Sequence, residues 1–280
     1  MGKLNLKCID DCVDMCLAAW NLGWHECHAG NISYRLTAEE RAEALAQAAM
    51  PGEWQPLPEA LPDLAGECFL MSAAGSSFRT LDRTPDRELG LLEMNARGDA
   101  WLRLWGFEGG RPTSELPAHL ANHAIKRRWG GEDYRVIYHA HPTNLIALSF
   151  VLPLTDRTFT RELWEMEPEC AMIFPKGIGV LPWVTPGSEQ SAFETGEKMK
   201  RFDVVLWAYH GTFCAAETFE KALGLMHTVE KAAEMLSKVL AMGGKRQKPA
   251  AKNLRDLEEP FGLELPEMFL LEDPAGAQSQ

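Results

Sequence analysis

The segment Arg135-Val136-Ile137-Tyr138-His139-Ala140-His141 constrains the fold more than any other part of the chain. β-Branched and aromatic residues favour extended backbone, and a strand sends alternate side chains to opposite faces. His139 and His141 therefore leave the strand end on one side, with Ala140 on the other. Two imidazoles so placed can share one cation without straining the backbone, and imidazole is the commonest metal-binding side chain near neutral pH. Taken alone, the pair fits a metal site and a pair of packed histidines equally well.

The rest of the composition narrows the setting. The chain has 280 residues, 46% apolar and 24% charged, the proportions of an ordinary globular protein. This length can hold two domains, but no linker or internal repeat divides it. One domain over residues 1–280, ending in a polar tail from 245 to 280, is expected. The net charge is −12 and no basic stripe is visible, so a nucleic-acid partner is not expected. No apolar run reaches the roughly 18 residues of a membrane span. An acidic protein can still bind phosphate through local donors. The seven cysteines are an odd number, and the stretch Met1 to Lys7 has no apolar core. Both features point to a reducing, cytoplasmic compartment.

Periodicity predicts helices over residues 6–23, 37–48, 113–129, 143–151, 160–167, 189–200 and 218–242. Strands are expected at 32–36, 68–72 and 135–141, near 91–95 (running on towards Trp105), and at 204–209. The runs Cys170–Phe174 and Ile178–Trp183, joined by Pro175-Lys176-Gly177, read as a hairpin. Met50 to Gly66 is Pro-rich and reads as loop. Cys8, Cys12 and Cys16 recur every fourth residue along the first helix. Small buried thiols fit that pattern better than a cluster site.

Three elements bring chemistry-bearing groups to their ends. His139 and His141 close one strand. His210 closes the apolar run Val204–Tyr209 and is followed by Gly211. Glu115 stands at a helix start. Three histidines and a carboxylate suit zinc, which takes nitrogen and oxygen ligands and keeps an exchangeable position in catalytic sites. His119 and His123 lie four apart on the helix that Glu115 begins. The metalloprotease motif needs Glu directly after the first His, and Leu120 stands there, so this pair reads as structural, packed under the site. His28 sits in a glycine turn. Gly30-Asn31, Ala74-Gly75-Ser76 and Thr113-Ser114 supply phosphate-type donors, the last at a helix N-terminus. Residues of this kind also build ordinary turns and caps.

Four strings occur in order: Ala29-Gly30-Asn31-Ile32-Ser33, Pro112-Thr113-Ser114-Glu115-Leu116-Pro117-Ala118-His119, His139-Ala140-His141-Pro142-Thr143-Asn144 and Trp207-Ala208-Tyr209-His210-Gly211. As a set they resemble the class II aldolase/adducin-type family over roughly residues 15 to 244. Thr160-Arg161-Glu162-Leu163-Trp164-Glu165 and Gly179-Val180-Leu181-Pro182-Trp183 extend the likeness. The resemblance implies an α/β fold with a central, largely antiparallel sheet flanked by helices on both sides. It implies one zinc ion per subunit, a homotetramer with sites near subunit interfaces, and reversible cleavage of a phosphorylated ketose to dihydroxyacetone phosphate and an aldehyde. Carried over, His139, His141 and His210 are the zinc ligands. Glu115 is a resting ligand and then the acid/base, and Glu169 is a second acid reaching a neighbouring subunit's site. Asn31, Gly75 and Ser114 match phosphate-contacting positions, with His28 beside them. The chain departs from the family at His28-Ala29, where Asn-Gly is usual, and at Ala73-Ala74, where Gly-Ser is usual. Ala74 lacks a phosphate-binding hydroxyl unless Ser76 replaces it. A sugar-phosphate epimerase or dehydratase of the same superfamily is the alternative, and a non-catalytic adducin-like scaffold a more distant one.

Overall fold

The computed structural model describes residues 4–48 and 52–271. Its strands are β1 (Asn31–Arg35), β2 (Gln55–Pro56), β3 (Cys68–Ser72), β4 (Leu89–Met94), β5 (Ala100–Gly106), β6 (Val136–Ala140), β7 (Gly179–Leu181), β8 (Val204–Trp207) and β9 (Gly211–Ala216). They form one sheet in the order β2-β5-β4-β3-β1-β6-β9-β8-β7. Every neighbouring pair is antiparallel except β7 with β8.

Alternation along the strands divides the core between two faces. In β3, Cys68 and Leu70 join one apolar cluster, while Phe69 and Met71 join another. In β4, Leu89 and Leu91 join the first and Leu92 and Met94 the second. The first cluster takes in Ile9, Cys12 and Cys16 of the Lys7–Asn21 helix and Met226, Val229 and Leu236 of the Phe219–Ala241 helix. The second takes in Leu116, Leu120 and Ala124 of the Leu116–Trp129 helix, at the spacing of one helical stripe. Helices thus cover both faces of a largely antiparallel sheet. Cys8, Cys12 and Cys16 are buried free thiols on the first helix.

Several local expectations change. The expected hairpin is absent, because Pro168–Ile173 is a helix. Pro168 sits at its first position, where a missing N–H is harmless, and a short apolar run does not separate strand from buried helix. Of the following run only Gly179–Leu181 is strand, and it runs parallel to β8. The expected continuous strand near 91–105 is a hairpin of β4 and β5, turned at Gly98, which adopts φ +68°. β9 has no counterpart among the expected strands: all six of its residues are buried, which removes the alternation that marks a half-exposed strand. The Pro-rich loop carries β2 and a short 3-10 turn at Pro62–Leu64, while Met50 and Pro51 lie outside the described residues. The polar tail is helical at Ala251–Arg255, Glu258–Phe261 and Glu267–Leu270, and it buries Leu254, Phe269 and Leu270. Its last stretch, 272–280, lies outside the described residues. Among the described residues no helix is long and apolar enough to cross a membrane.

Candidate active site

The sheet register places the histidines. His139 pairs with Asn31 across β1 and with Phe213 across β9. Its ring stacks on Phe213, with centroids 4.4 Å apart and planes 17° from parallel. His141 follows β6 directly, and its N–H donates to the Trp24 carbonyl at 3.0 Å. His210 sits in the tight connection from β8 to β9. Tyr209 there has φ +67°, and its N–H donates to Ser149 Oγ at 2.9 Å. Gly211 is needed for close approach: a Cβ on it would lie 2.7 Å from His141 Cδ2 and 2.8 Å from the Ala140 carbonyl oxygen. The rings therefore converge. Nε2 of His139 lies 3.3 Å from Nε2 of His210, and one ligand nitrogen of each of the three histidines lies within 4.8 Å of the others.

Hydrogen bonding assigns the free nitrogens. The Nδ1–H of His139 donates to the Thr212 carbonyl at 3.2 Å, leaving an Nε2 lone pair towards the cluster. The Nδ1–H of His141 donates to Glu26 Oε1 at 2.7 Å, and its buried Nε2 has no partner among the described residues. A second ring nitrogen held by a carbonyl or carboxylate is the usual support of a metal-binding histidine. Two nitrogens bound at 2.0–2.1 Å to tetrahedral zinc stand about 3.4 Å apart, so the His139–His210 spacing fits such an ion. Burial, then the neighbouring His141 and His210, push the His139 pKa well below its ordinary value. Burial and His141 lower His210 to about 4. Both rings are thus neutral, as ligands must be. For Glu26, burial acts upward, but the His141 hydrogen bond, a backbone hydrogen bond and the nearby His141 and His25 together outweigh it and hold the carboxyl below its usual range.

Glu115 caps the Leu116–Trp129 helix beside these rings, its N–H donating to Thr113 Oγ1 at 3.3 Å. Its Oε2 is buried with no hydrogen-bond partner among the described residues. Burial raises its pKa, and the Asn31 side chain and His141 act in the opposite sense. The turn after β3 lies against the same helix start: the Ala74 N–H donates to the Arg111 carbonyl at 2.9 Å and the Thr113 N–H to Ser72 at 3.0 Å.

Asn31, Gly75, Ser114, Glu115, His139, His141 and His210 line one cavity of about 230 Å³, and His28 lines it too. The His28 Nδ1–H donates to the Ser76 carbonyl at 3.3 Å. Ser76 is buried and is not among the lining residues, so it does not supply the hydroxyl missing at Ala74. Glu169 stands apart, exposed on the Pro168–Ile173 helix and outside this cavity. A larger groove of about 950 Å³ shares Ser114 and Glu115 but none of the histidines.

Two residues near the cavity were not singled out. Glu26 orients His141, and buried His25 ties the turn before β1, its Nδ1–H donating to the Ala29 carbonyl at 2.9 Å while Tyr138 Oη lies 2.6 Å from Nε2. Only their position one turn ahead of Gly30-Asn31 could have flagged them. His119 and His123 do lie under the site, bonded to Ser33 and not to the histidine cluster.

A mostly antiparallel sheet covered on both faces, with three converging imidazoles beside a helix-start carboxylate, defines the class. The chain belongs to the class II aldolase and adducin N-terminal domain family, whose model matches residues 10–237. It is 40% identical over 245 residues to a rhamnulose-1-phosphate aldolase from Mannheimia succiniciproducens, covering 87% of this chain and 90% of that one. It is 42% identical over 249 residues to a Yersinia pestis protein of the same name, covering 87% and 89%. Among solved structures it resembles a sugar-phosphate aldolase from Thermotoga maritima, with TM-score 0.72, 29% identity and coverage of 85% and 97%. L-Fuculose-1-phosphate aldolase from Thermus thermophilus shares the fold, with TM-score 0.55 and 22% identity over 86% and 98% of the chains.

Proposed function

We propose that this chain is a metal-dependent aldolase that reversibly cleaves L-rhamnulose 1-phosphate to dihydroxyacetone phosphate and L-lactaldehyde. The observation that carries the reading is the convergence of His139, His141 and His210 beside a buried, partnerless Glu115 oxygen. The three imidazoles fit one zinc ion, with Glu115 within the same cavity as a displaceable fourth group. When bound, the cation supplies the positive charge that stabilises the anion developing on cleavage.

The chain's own residues do the rest. Breaking the carbon–carbon bond leaves its electron pair on the dihydroxyacetone phosphate fragment, while the hydroxyl proton of the aldehyde carbon goes to a base. Glu115, whose pKa burial raises, is placed to take up a proton and deliver it to the carbon that was cleaved. Asn31, the Gly75 N–H, the Ser114 hydroxyl and the helix start they surround bind the phosphate, and His28 borders that end of the cavity. Glu169 serves the aldehyde end of a neighbouring subunit's site in a homotetramer. Its exposure, and that of Ile173 and Trp183 nearby in sequence, support that reading. One continuous sheet supports a single domain, and seven free cysteines support a cytoplasmic setting.

Metal analysis joined to a coupled triose-phosphate assay across several ketose 1-phosphates tests this. About one zinc per chain and triose phosphate release, fastest from L-rhamnulose 1-phosphate and lost on chelation, is the expected result. Full turnover after exhaustive chelation, or a product without triose phosphate, overturns it; the latter favours an epimerase or dehydratase.

A further inference from the structure

Beneath the cavity, Ser33 of β1 meets His119 and His123 of the Leu116–Trp129 helix in a layer closed to solvent, each residue no more than 1% exposed. Ser33 Oγ lies 2.7 Å from His119 Nδ1 and 2.8 Å from His123 Nε2. His119 Nε2 contacts Asn31 Oδ1. His123 Nδ1 has no partner among the described residues.

The protons in this chain have one consistent order. Asn31 Oδ1 only accepts, so His119 Nε2 carries hydrogen. A neutral ring has a single N–H, so His119 Nδ1 is a lone pair and accepts the Ser33 hydroxyl. A serine has one proton, so Ser33 Oγ accepts from His123 Nε2–H. The bare lone pair of His123 then falls on Nδ1, the one atom with no donor to meet. Burial supports neutrality at both rings, lowering His119 to about 3 and His123 well below its ordinary value. Reversing the chain would turn Asn31 over and set its oxygen against the Glu115 carboxyl.

We propose that His119, Ser33 and His123 are positioning residues, which hold the Asn31 amide with its NH2 end towards Glu115 and the cavity. One hydrogen then serves the Glu115 side chain, which Asn31 hydrogen-bonds. The other is left for the substrate anion. What Asn31 and Glu115 do rests on the aldolase reading; the proton order does not.

Two measurements test it. Nitrogen-15 NMR of histidine-labelled, metal-loaded protein at pH 7 should find His119 and His123 neutral, with the proton on Nε2 in both. Ser33→Ala should lower kcat/KM by about 10–100-fold with metal content unchanged, and Ser33→Thr, which restores the hydroxyl, should recover most of the loss. An Nδ1–H tautomer or a charged ring at either position overturns the proposal, and so does Ser33→Ala at the parent kcat/KM. If Ser33→Ala does not fold, the NMR result on the intact protein decides. A wrong tautomer removes the positioning chain and leaves the aldolase standing, whereas absent triose phosphate removes the aldolase and leaves the tautomers to be read.

Discussion

Two of the three clustered imidazoles, His139 and His141, are each held by a second group, and those second groups were the harder ones to read. His139, His141 and His210 stand out in the sequence because imidazoles end apolar runs. Glu26 has no such mark, since a lone glutamate in a polar turn is ordinary. Its link to His141 spans 115 positions and exists only once the chain folds. Removing it by Glu26→Ala should weaken metal affinity about tenfold, the low end for such supporting groups, because the carboxylate is 65% exposed and water screens its pull. Competition with a graded chelator measures this; unchanged affinity would make the Glu26 contact incidental. Gly75 and Ser114 were legible as donors, but their meeting across two turns was not, because only the bonds from Ala74 to Arg111 and from Thr113 to Ser72 bring those turns together.

At the scale of elements, strand ends and helix starts were legible where pattern and punctuation agree. The Leu116–Trp129 helix has its proline in the first turn and Gly130 at its end. β9 was not legible, although its Thr212 and Phe213 hold the His139 ring, because complete burial erases periodicity. Its first residue makes a sharp prediction. In Gly211→Ala the new methyl would meet the Ala140 carbonyl at 2.8 Å and His139 Cε1 at 2.8 Å, and a backbone carbonyl in a central ladder cannot step aside. The β8–β9 connection should shift, His210 should leave the cluster, and stability should fall by about 1–3 kcal/mol. Metal stoichiometry and a melting curve test this together; full metal content in Gly211→Ala would show that the close approach is dispensable.

For the whole molecule, neutral buried histidines set a pH dependence. His25 is lowered to about 4 and His119 to about 3, in both cases by burial first. Unfolded, each takes a proton near 6.5. Their contribution is therefore complete above about pH 6.5 and is lost as pH falls, because the unfolded chain binds protons that the folded chain refuses. His25 alone accounts for roughly 3 kcal/mol by pH 4. Urea midpoints at pH 7, 5.5 and 4.5 should fall in that order, and a flat or rising series would contradict it. A sheet covered on both faces was implied by the family resemblance, but its strand order was not legible, since β1 separates β3 from β6 by pairings no local pattern reports.

The convergence of three rings on adjoining central strands has a further consequence. His139 and His141 ride on and just past β6, and His210 on the connection into β9, two strands locked together by five residue pairs. Their aim is set by the ladder and by Thr212 and Glu26, before any ion arrives. Binding the proposed ion there would demand little reorganisation of the chain, so protein stripped of it should keep its shape and refill without passing through an unfolded state, unlike small domains that the ion itself must assemble.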